Sequence, residues 1–253
     1  FQAEDGIRDC LLSRGLGDVY KRQSINTMIF RIIPGGAFVE NTYILQANDS
    51  DEVILIDPGS QTDEIEDSLS EIDFQEMHIW NTHGHLDHAY GVDYFKKKYK
   101  ADFNIHQKEI PILEAMTTAA SRFGIPEFSD AVVPEIDNFI DEDREYIIGG
   151  LKFSTLLVPG HSPGSICFHL TKEMNPNQEL AEDIIICGDT VFAGSVGRVD
   201  LTGGTNMEDL VGNITSKLLS LKGSTILFPG HGPRTTIEIE KESNPFLAGM
   251  YNG

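Results

Sequence analysis

Short apolar runs, separated by glycine, proline and acidic turns, organise the chain from Met28 onward. Met28 to Ile33, Thr42 to Ala47 and Val53 to Ile56 read as strands, because each run of strand length is bounded by turn residues. Thr62 to Glu71 reads as a short acidic helix with Ile65 and Leu69 at helical spacing, and the apolar run Met77 to Trp80 as the next strand. His88 to Tyr99 reads as a helix carrying Tyr90, Phe95 and Tyr99, with Lys96, Lys97, Lys98 and Lys100 at the end where they complement its dipole. After a strand Phe103 to His106, Lys108 to Phe123 reads as a helix with Ile112, Ala115, Met116 and Ala119 on one face. Gly124 to Asp143, with Pro126, Pro134 and many acids, reads as a long loop or lid. A second series follows: Tyr146 to Ile148, Leu151 to Val158, Ser165 to Leu170, a polar hairpin near Asn175, Ile184 to Cys187, a helix from Met207 to Leu221, and the strand Thr225 to Phe228. Two strand-rich halves with interspersed helices predict an α/β fold.

Residues 1–23 stand apart, since they lack sustained periodicity and have neither the apolar core nor the cleavage site of a signal peptide. They resemble a translated sequencing-adapter read-through, and the domain is expected to occupy residues 24–253. Their four acids and four bases cancel, so the formal charge of -21 belongs to the remainder. An excess of that size argues against nucleic acid and anionic membranes as partners, because phosphate binding rests on clustered Lys and Arg. Hydrophobic residues make up 40% of the chain, enough for a sizeable core, yet no apolar run reaches the ~18 residues of a membrane span. Cys10, Cys167 and Cys187 form no disulfide framework, and the latter two sit inside apolar runs, which fits a reducing, cytoplasmic setting.

The chemistry concentrates in Thr82-His83-Gly84-His85-Leu86-Asp87-His88, directly after the strand ending at Trp80. A single histidine is more often structural than functional; four metal-capable side chains within six residues reverse that prior. His83 and His85, two apart, can converge on one ion from a strand end, while Asp87 and His88, past the small Gly84, can turn toward a second. Three further ligand-type residues stand where apolar runs give way to glycine turns: His161 after Val158-Pro159-Gly160, Asp189 after Cys187-Gly188, and His231 after Phe228-Pro229-Gly230. Strands ending this way can bring distant ligands to one rim of a sheet. His78, His106 and His169 lie on or at the ends of strands and read as structural.

With these motifs, and with Gly188-Asp189-Thr190, Gly197-Arg198-Val199-Asp200 and Pro229-Gly230-His231-Gly232-Pro233, the chain resembles the metallo-β-lactamase superfamily from about Met28 to Tyr251. Within it the chain resembles the hydroxyacylglutathione hydrolase (glyoxalase II) group, in its short bacterial form without the C-terminal helical domain. The resemblance implies a four-layer αβ/βα sandwich. It implies one metal site of His83, His85 and His161, a second of Asp87, His88 and His231, and Asp189 bridging, with Asp87 and Asp189 as catalytic residues. Two divalent ions ~3.5–4 Å apart can share a water and make it hydroxide near neutral pH. Zinc suits the donors, and iron or manganese fit them too. The implied reaction is hydrolysis of a small-molecule thioester such as a hydroxyacylglutathione, in which a thiolate of pKa ~8.5 departs without a strong acid. Arg198 is the residue implied for substrate binding; Asp200, two residues on, replaces a tyrosine of the larger enzymes and is placed to pair with it. Asp57, in Ile-Asp-Pro-Gly, matches an aspartate of the superfamily that supports the metal loops, and an ordinary strand-end turn accounts for it nearly as well. Rival readings on the same scaffold are a single-iron persulfide dioxygenase, a lactam, lactone or phosphoester hydrolase, and a non-catalytic scaffold, against which the full set of seven ligands speaks.

Overall fold

The computed structural model describes residues 28–178 and 180–248; the stretch 1–23 set apart by its sequence lies outside the described residues. The first half is a six-stranded sheet of β1 (Ile29–Gly35), β2 (Glu40–Gln46), β3 (Glu52–Ile56), β4 (Glu76–Trp80), β5 (Asp102–His106) and β6 (Asn138–Ile140), in that spatial order. β1 to β3 pair antiparallel and β3 to β6 parallel. The parallel steps need crossovers, and helices supply them. These are α1 (Thr62–Leu69) before β4, α2 (Leu86–Ala89) and α3 (Val92–Tyr99) before β5, then α4 (Ile110–Glu114) and α5 (Met116–Phe123) before β6.

The second half runs β7 (Glu145–Ile148), β8 (Leu151–Leu157), β9 (Ile166–Leu170), β10 (Ile184–Gly188), a ribbon of β11 (Val191–Phe192) and β12 (Ser195–Val196), α6 (Met207–Lys217), β13 (Ile226–Pro229), β14 (Thr235–Thr236) and α7 (Ile237–Ser243). Its sheet has the order β14-β13-β10-β9-β8-β7, with β10 and β13 parallel.

Alternate residues on each central strand enter different cores. On β3, Val53 and Leu55 pack with Ile65, Leu69 and Phe95 of the helices, whereas Ile54 and Ile56 pack with Phe168 and Ile186 of the other sheet. On β10, Ile184 and Ile186 join that central core, and Ile185 and Cys187 pack with Leu210 and Ile214 of α6. Strands covered on both faces have no polar face, which is why these runs are uninterrupted in sequence. The three cores separate four layers, helices, sheet, sheet and helices, as the resemblance implies. Trp80 sits in the middle one, its ring 4.9, 5.2 and 5.8 Å from those of Tyr146, Phe153 and Phe168.

Three sequence expectations change. The helix from His88 to Tyr99 is two helices, broken at Gly91, whose N–H donates to Pro58 O at 2.8 Å; a Cβ there would strike the Gly59 carbonyl. The helix from Lys108 to Phe123 is a turn followed by α4 and α5, because Pro111 has no N–H to continue a helix and is tolerated only in a first turn. The loop Gly124 to Asp143 contains a turn at Pro126–Phe128 and the edge strand β6, and it does not line the cleft described below. Among the described residues, no helix is long and apolar enough to cross a membrane.

Candidate metal centre

The parallel strands of both sheets end along one seam, and the polar residues that follow their apolar runs meet there. β4 delivers His83 and His85 on the loop after Trp80, and α2 carries Asp87 and His88 one turn later. Across the seam come His161 after β8, Asp189 after β10 and His231 after β13. The second sheet is tied to the first at this point: Asn41 of β2 donates from its backbone to Gly230 O at 2.7 Å and from Nδ2 to Pro229 O at 2.9 Å. The glycines before the ligands are required by closeness. A Cβ on Gly230 would fall on Asp189 Oδ1, and one on Gly188, at φ 48°, on the Thr82 hydroxyl.

Three ring nitrogens face one another: His161 Nε2 lies 2.8 Å from His85 Nδ1 and 3.3 Å from His83 Nε2. Tetrahedral coordination with metal–nitrogen bonds of ~2.0–2.1 Å places neighbouring donors ~3.3 Å apart, which this spacing suits. Beside them His231 Nε2 lies 3.2 Å from Asp87 Oδ2, and His88 Nε2 3.8 Å from the same oxygen. Asp189 stands between the two groups, with Oδ2 3.5 Å from both His161 Nε2 and His231 Nε2, and Oδ1 3.3 Å from His88 Nε2. His88 Nε2 and Asp189 Oδ1 are buried and, apart from their 3.3 Å ion pair with each other, have no hydrogen-bond partner, the state of donors left for a cation.

Each histidine is held from behind. His83 Nδ1 meets Thr82 Oγ1 at 3.0 Å, and that hydroxyl donates onward to Asp57 Oδ2 at 2.6 Å. His88 Nδ1 meets the same Asp57 oxygen at 3.0 Å. His85 Nε2 meets Thr202 O at 3.1 Å, His161 Nδ1 meets Arg198 O at 2.8 Å, and His231 Nδ1 meets Phe38 O at 3.1 Å. With the rear nitrogen of each ring facing an oxygen, the other nitrogen points into the seam, the arrangement that orients metal-binding imidazoles.

Electrostatics divide the two groups. Burial pushes His83, His85 and His161 below the usual imidazole range, His161 to about 4, so these rings are neutral at pH 7. Burial acts the same way on His88 and His231, but the facing carboxylates of Asp189 and Asp87 outweigh it and raise both, His231 to about 10. Burial likewise raises Asp87 and Asp189, and the same histidines more than reverse it, leaving both below the carboxylate range.

All seven residues singled out in the sequence therefore meet in one place, while His78, His106 and His169 lie elsewhere. His78 pairs with Glu52 at 3.0 Å and His106 with Glu142 at 3.2 Å. Arg198 lines the cleft above the seam, but its guanidinium is engaged by both oxygens of Asp200, at 2.6 and 2.7 Å, and its carbonyl is what holds His161. Nothing in the residue pattern singled out Glu109 or Glu40. Buried Glu109 accepts the Gly84 N–H at 2.8 Å and the Gly164 N–H at 2.5 Å, joining the loops of His83 and His161. Buried Glu40 accepts from Gln61 Nε2 at 2.8 Å behind His88. Each is a polar residue in a polar stretch, with no periodicity to distinguish it. The cleft has a volume of about 860 Å³, with His85, Asp87, Asp189 and His231 on its floor and Phe38, Phe123 and Phe192 among its walls.

Comparison with known proteins places this geometry in context. The family model of the metallo-beta-lactamase superfamily matches residues 35–231. The chain is similar to the hydroxyacylglutathione hydrolase GloC of Haemophilus influenzae, at 33% identity over 222 residues that cover 87% of this chain and 98% of the relative. It is similar in structure to the BLEG-1 B3 metallo-beta-lactamase, with a TM-score of 0.75 and 32% identity over 87% of this chain and 100% of the other. It is also similar to TTHA1623 in a di-iron-bound form, with a TM-score of 0.71 and 29% identity over 86% and 100%.

Proposed function

The chain belongs to the metallo-beta-lactamase superfamily and is a metal-dependent hydrolase of it, and from that premise we propose that it hydrolyses thioesters, hydroxyacylglutathione among them, at a centre of two divalent ions. The observation that carries the dinuclear reading is Asp189, which faces both His161 and His231 at 3.5 Å and so stands between two complete triads. His83, His85 and His161 would hold one ion, Asp87, His88 and His231 the other, and Asp189 both. Zinc is the metal proposed; the di-iron form of a similar structure makes iron the alternative. Bound there, two divalent ions supply Lewis acidity and lower the pKa of water toward neutrality.

The chain's own part is positioning. Asp57 and the carbonyls of Phe38, Arg198 and Thr202 lock the imidazoles in donor orientation before any ion arrives. Asp87 and Asp189 bring negative charge that balances the cations, and Phe38, Phe123 and Phe192 give the cleft apolar walls for the substrate. A thiolate can leave as an anion, so the site needs no separate strong acid for this substrate, whereas an amine must be protonated. Identity of 33% with a hydroxyacylglutathione hydrolase across nearly its whole length supports the thioester.

A second reading, lactam hydrolysis, is favoured by the similarity to a B3 metallo-beta-lactamase. Metal analysis of the purified protein together with a substrate panel separates them. Close to two metal ions per chain and turnover of S-lactoylglutathione without turnover of a β-lactam is the expected result. Lactam turnover without thioester turnover overturns the proposal, and a single iron that consumes oxygen with a persulfide points to the dioxygenase.

A further inference from the structure

One wall of the cleft takes no part in the metal centre. α5 and the residue before it present Ala115, Thr118, Ala119 and Arg122, the three- and four-residue spacing of one helix face. The sequence placed Ala115 and Ala119 on one helix face with Ile112 and Met116; in the structure Met116 and Ala120 enter the core and the two alanines line the cleft. The buried face fixes the rotation of the helix, so the cleft-facing stripe is fixed with it. At ~1.5 Å per residue, Ala115 and Arg122 are separated by ~10 Å along the axis, and the three small side chains form a trough that ends at a guanidinium.

Pairing sets Arg122 apart. The other arginine of the cleft, Arg198, already has both oxygens of Asp200. Among the described residues, Arg122 has no ion pair and no side-chain hydrogen bond. With 40 acidic residues against 19 basic ones in the chain, an arginine that lines the cleft without a carboxylate partner is a local positive charge in an acidic molecule. An arginine in a last helical turn complements the partial negative charge there. That explains its place along α5 but not the side it takes. Phe38 and Phe123, in edge contact at 5.2 Å, line the same cleft and lower the local dielectric, which strengthens any ion pair formed beside them.

We propose that Arg122 binds a carboxylate of the substrate's thiol carrier, with the small-residue face of α5 as the trough for that carrier. The substrate class is thus a thioester whose thiol half carries a carboxylate remote from the sulfur; the inference rests on the thioester reading above. The planar fork of the guanidinium suits a carboxylate, and the negative charge of the rest of the molecule makes this one cation decisive for an anionic substrate.

The test uses the full metal-loaded protein and its Arg122→Ala and Arg122→Lys variants. Binding is read by calorimetry with S-methylglutathione, a thioether that cannot be hydrolysed, and turnover with S-lactoylglutathione and with the thioacetate of 2-mercaptoethanol, which is uncharged. Arg122→Ala should weaken S-methylglutathione binding and raise KM for the glutathione thioester about tenfold with little change in kcat, the pattern of a lost ground-state contact. The preference for the glutathione thioester over the uncharged one should fall by the same factor, and Lys should restore part of it. Equal changes with both thioesters, or S-methylglutathione binding that is absent or indifferent to Arg122→Ala, overturn the subsite. Should the wild type bind S-methylglutathione through Arg122 yet hydrolyse neither thioester, the thioester reading fails and the subsite stands. Should it hydrolyse both with no dependence on Arg122, the reading stands and the subsite fails.

Discussion

Glu109 holds the two loops of the three-histidine group together, and its loss separates folding from metal binding. Burial raises its carboxyl above the usual range, against the opposing effect of Ser162 and of the Gly84 and Gly164 N–H groups. Glu109→Ala leaves those two buried N–H groups without acceptors, at ~1–3 kcal/mol each, so denaturant unfolding should show a loss of a few kcal/mol. Glu109→Gln keeps the shape but must turn its NH2 toward one of the two donors; it should destabilise less and still weaken the first metal ion in chelator competition. Unchanged metal affinity in that variant would leave Glu109 a packing residue only. The contrast with the seven clustered residues shows what a sequence reveals at this scale. His161, Asp189 and His231 are legible because each is a polar residue at the end of an apolar run. Glu109 lies in the first turn of the helix read from Lys108, where an acid fits a solvated helix start, and only the approach of Gly164 from the other half makes it structural.

At the scale of elements, strands with an apolar run of their own were legible, even β1 and β7 at the sheet edges, and β6, which lacks one, was not. β6 has only three residues in an acidic, proline-containing stretch, and it is held by a tether rather than by its own apolar run. Asp137, just before it, accepts the Phe103 N–H at 2.8 Å and pairs with Lys96. Partial burial pushes the Asp137 carboxyl up, but the bonds from Lys96 and Phe103 outweigh it, and its pKa falls below the ordinary value of 3.8. A carboxylate lowered in the folded state stabilises the fold above its unfolded pKa, and that contribution disappears as pH falls through the folded value. The docking of β6 should therefore be insensitive to pH near neutrality and weaken below about pH 4. Asp137→Asn should produce the loosening at pH 7, seen as faster amide exchange in 138–140 with the other strands unchanged. Equal protection in variant and wild type would show that backbone pairing with β5 suffices. The break at Gly91 was hidden for a related reason: the helical period continues through it, and what interrupts the helix is the Pro58–Gly59 turn, more than thirty residues away.

At the scale of the whole molecule, each proposed triad draws two residues from the first half and one from the second, His161 or His231, with Asp189 also from the second. The two halves already share the central core, and β2 is bonded to the turn that carries His231. Metal at this seam would be a further link between the sheets, made only in the folded state because the triads do not exist in an unfolded chain. Its effect on stability follows from mass action. At a free metal concentration 100 times the dissociation constant, one ion contributes ~2.7 kcal/mol, and for a chain of this size that amounts to ~5–10 °C in melting temperature. Zinc added to chelator-treated protein should thus raise the melting temperature in two steps as concentration increases. His231→Ala should abolish one step and keep the other, whereas Asp189→Ala should reduce both. His169→Ala, which alters a residue outside the seam, should keep both steps. If zinc leaves the wild-type melting temperature unchanged, the seven side chains form an ionic network rather than a metal centre. If His231→Ala and His169→Ala respond alike, the division into two triads is wrong even though the cluster itself remains.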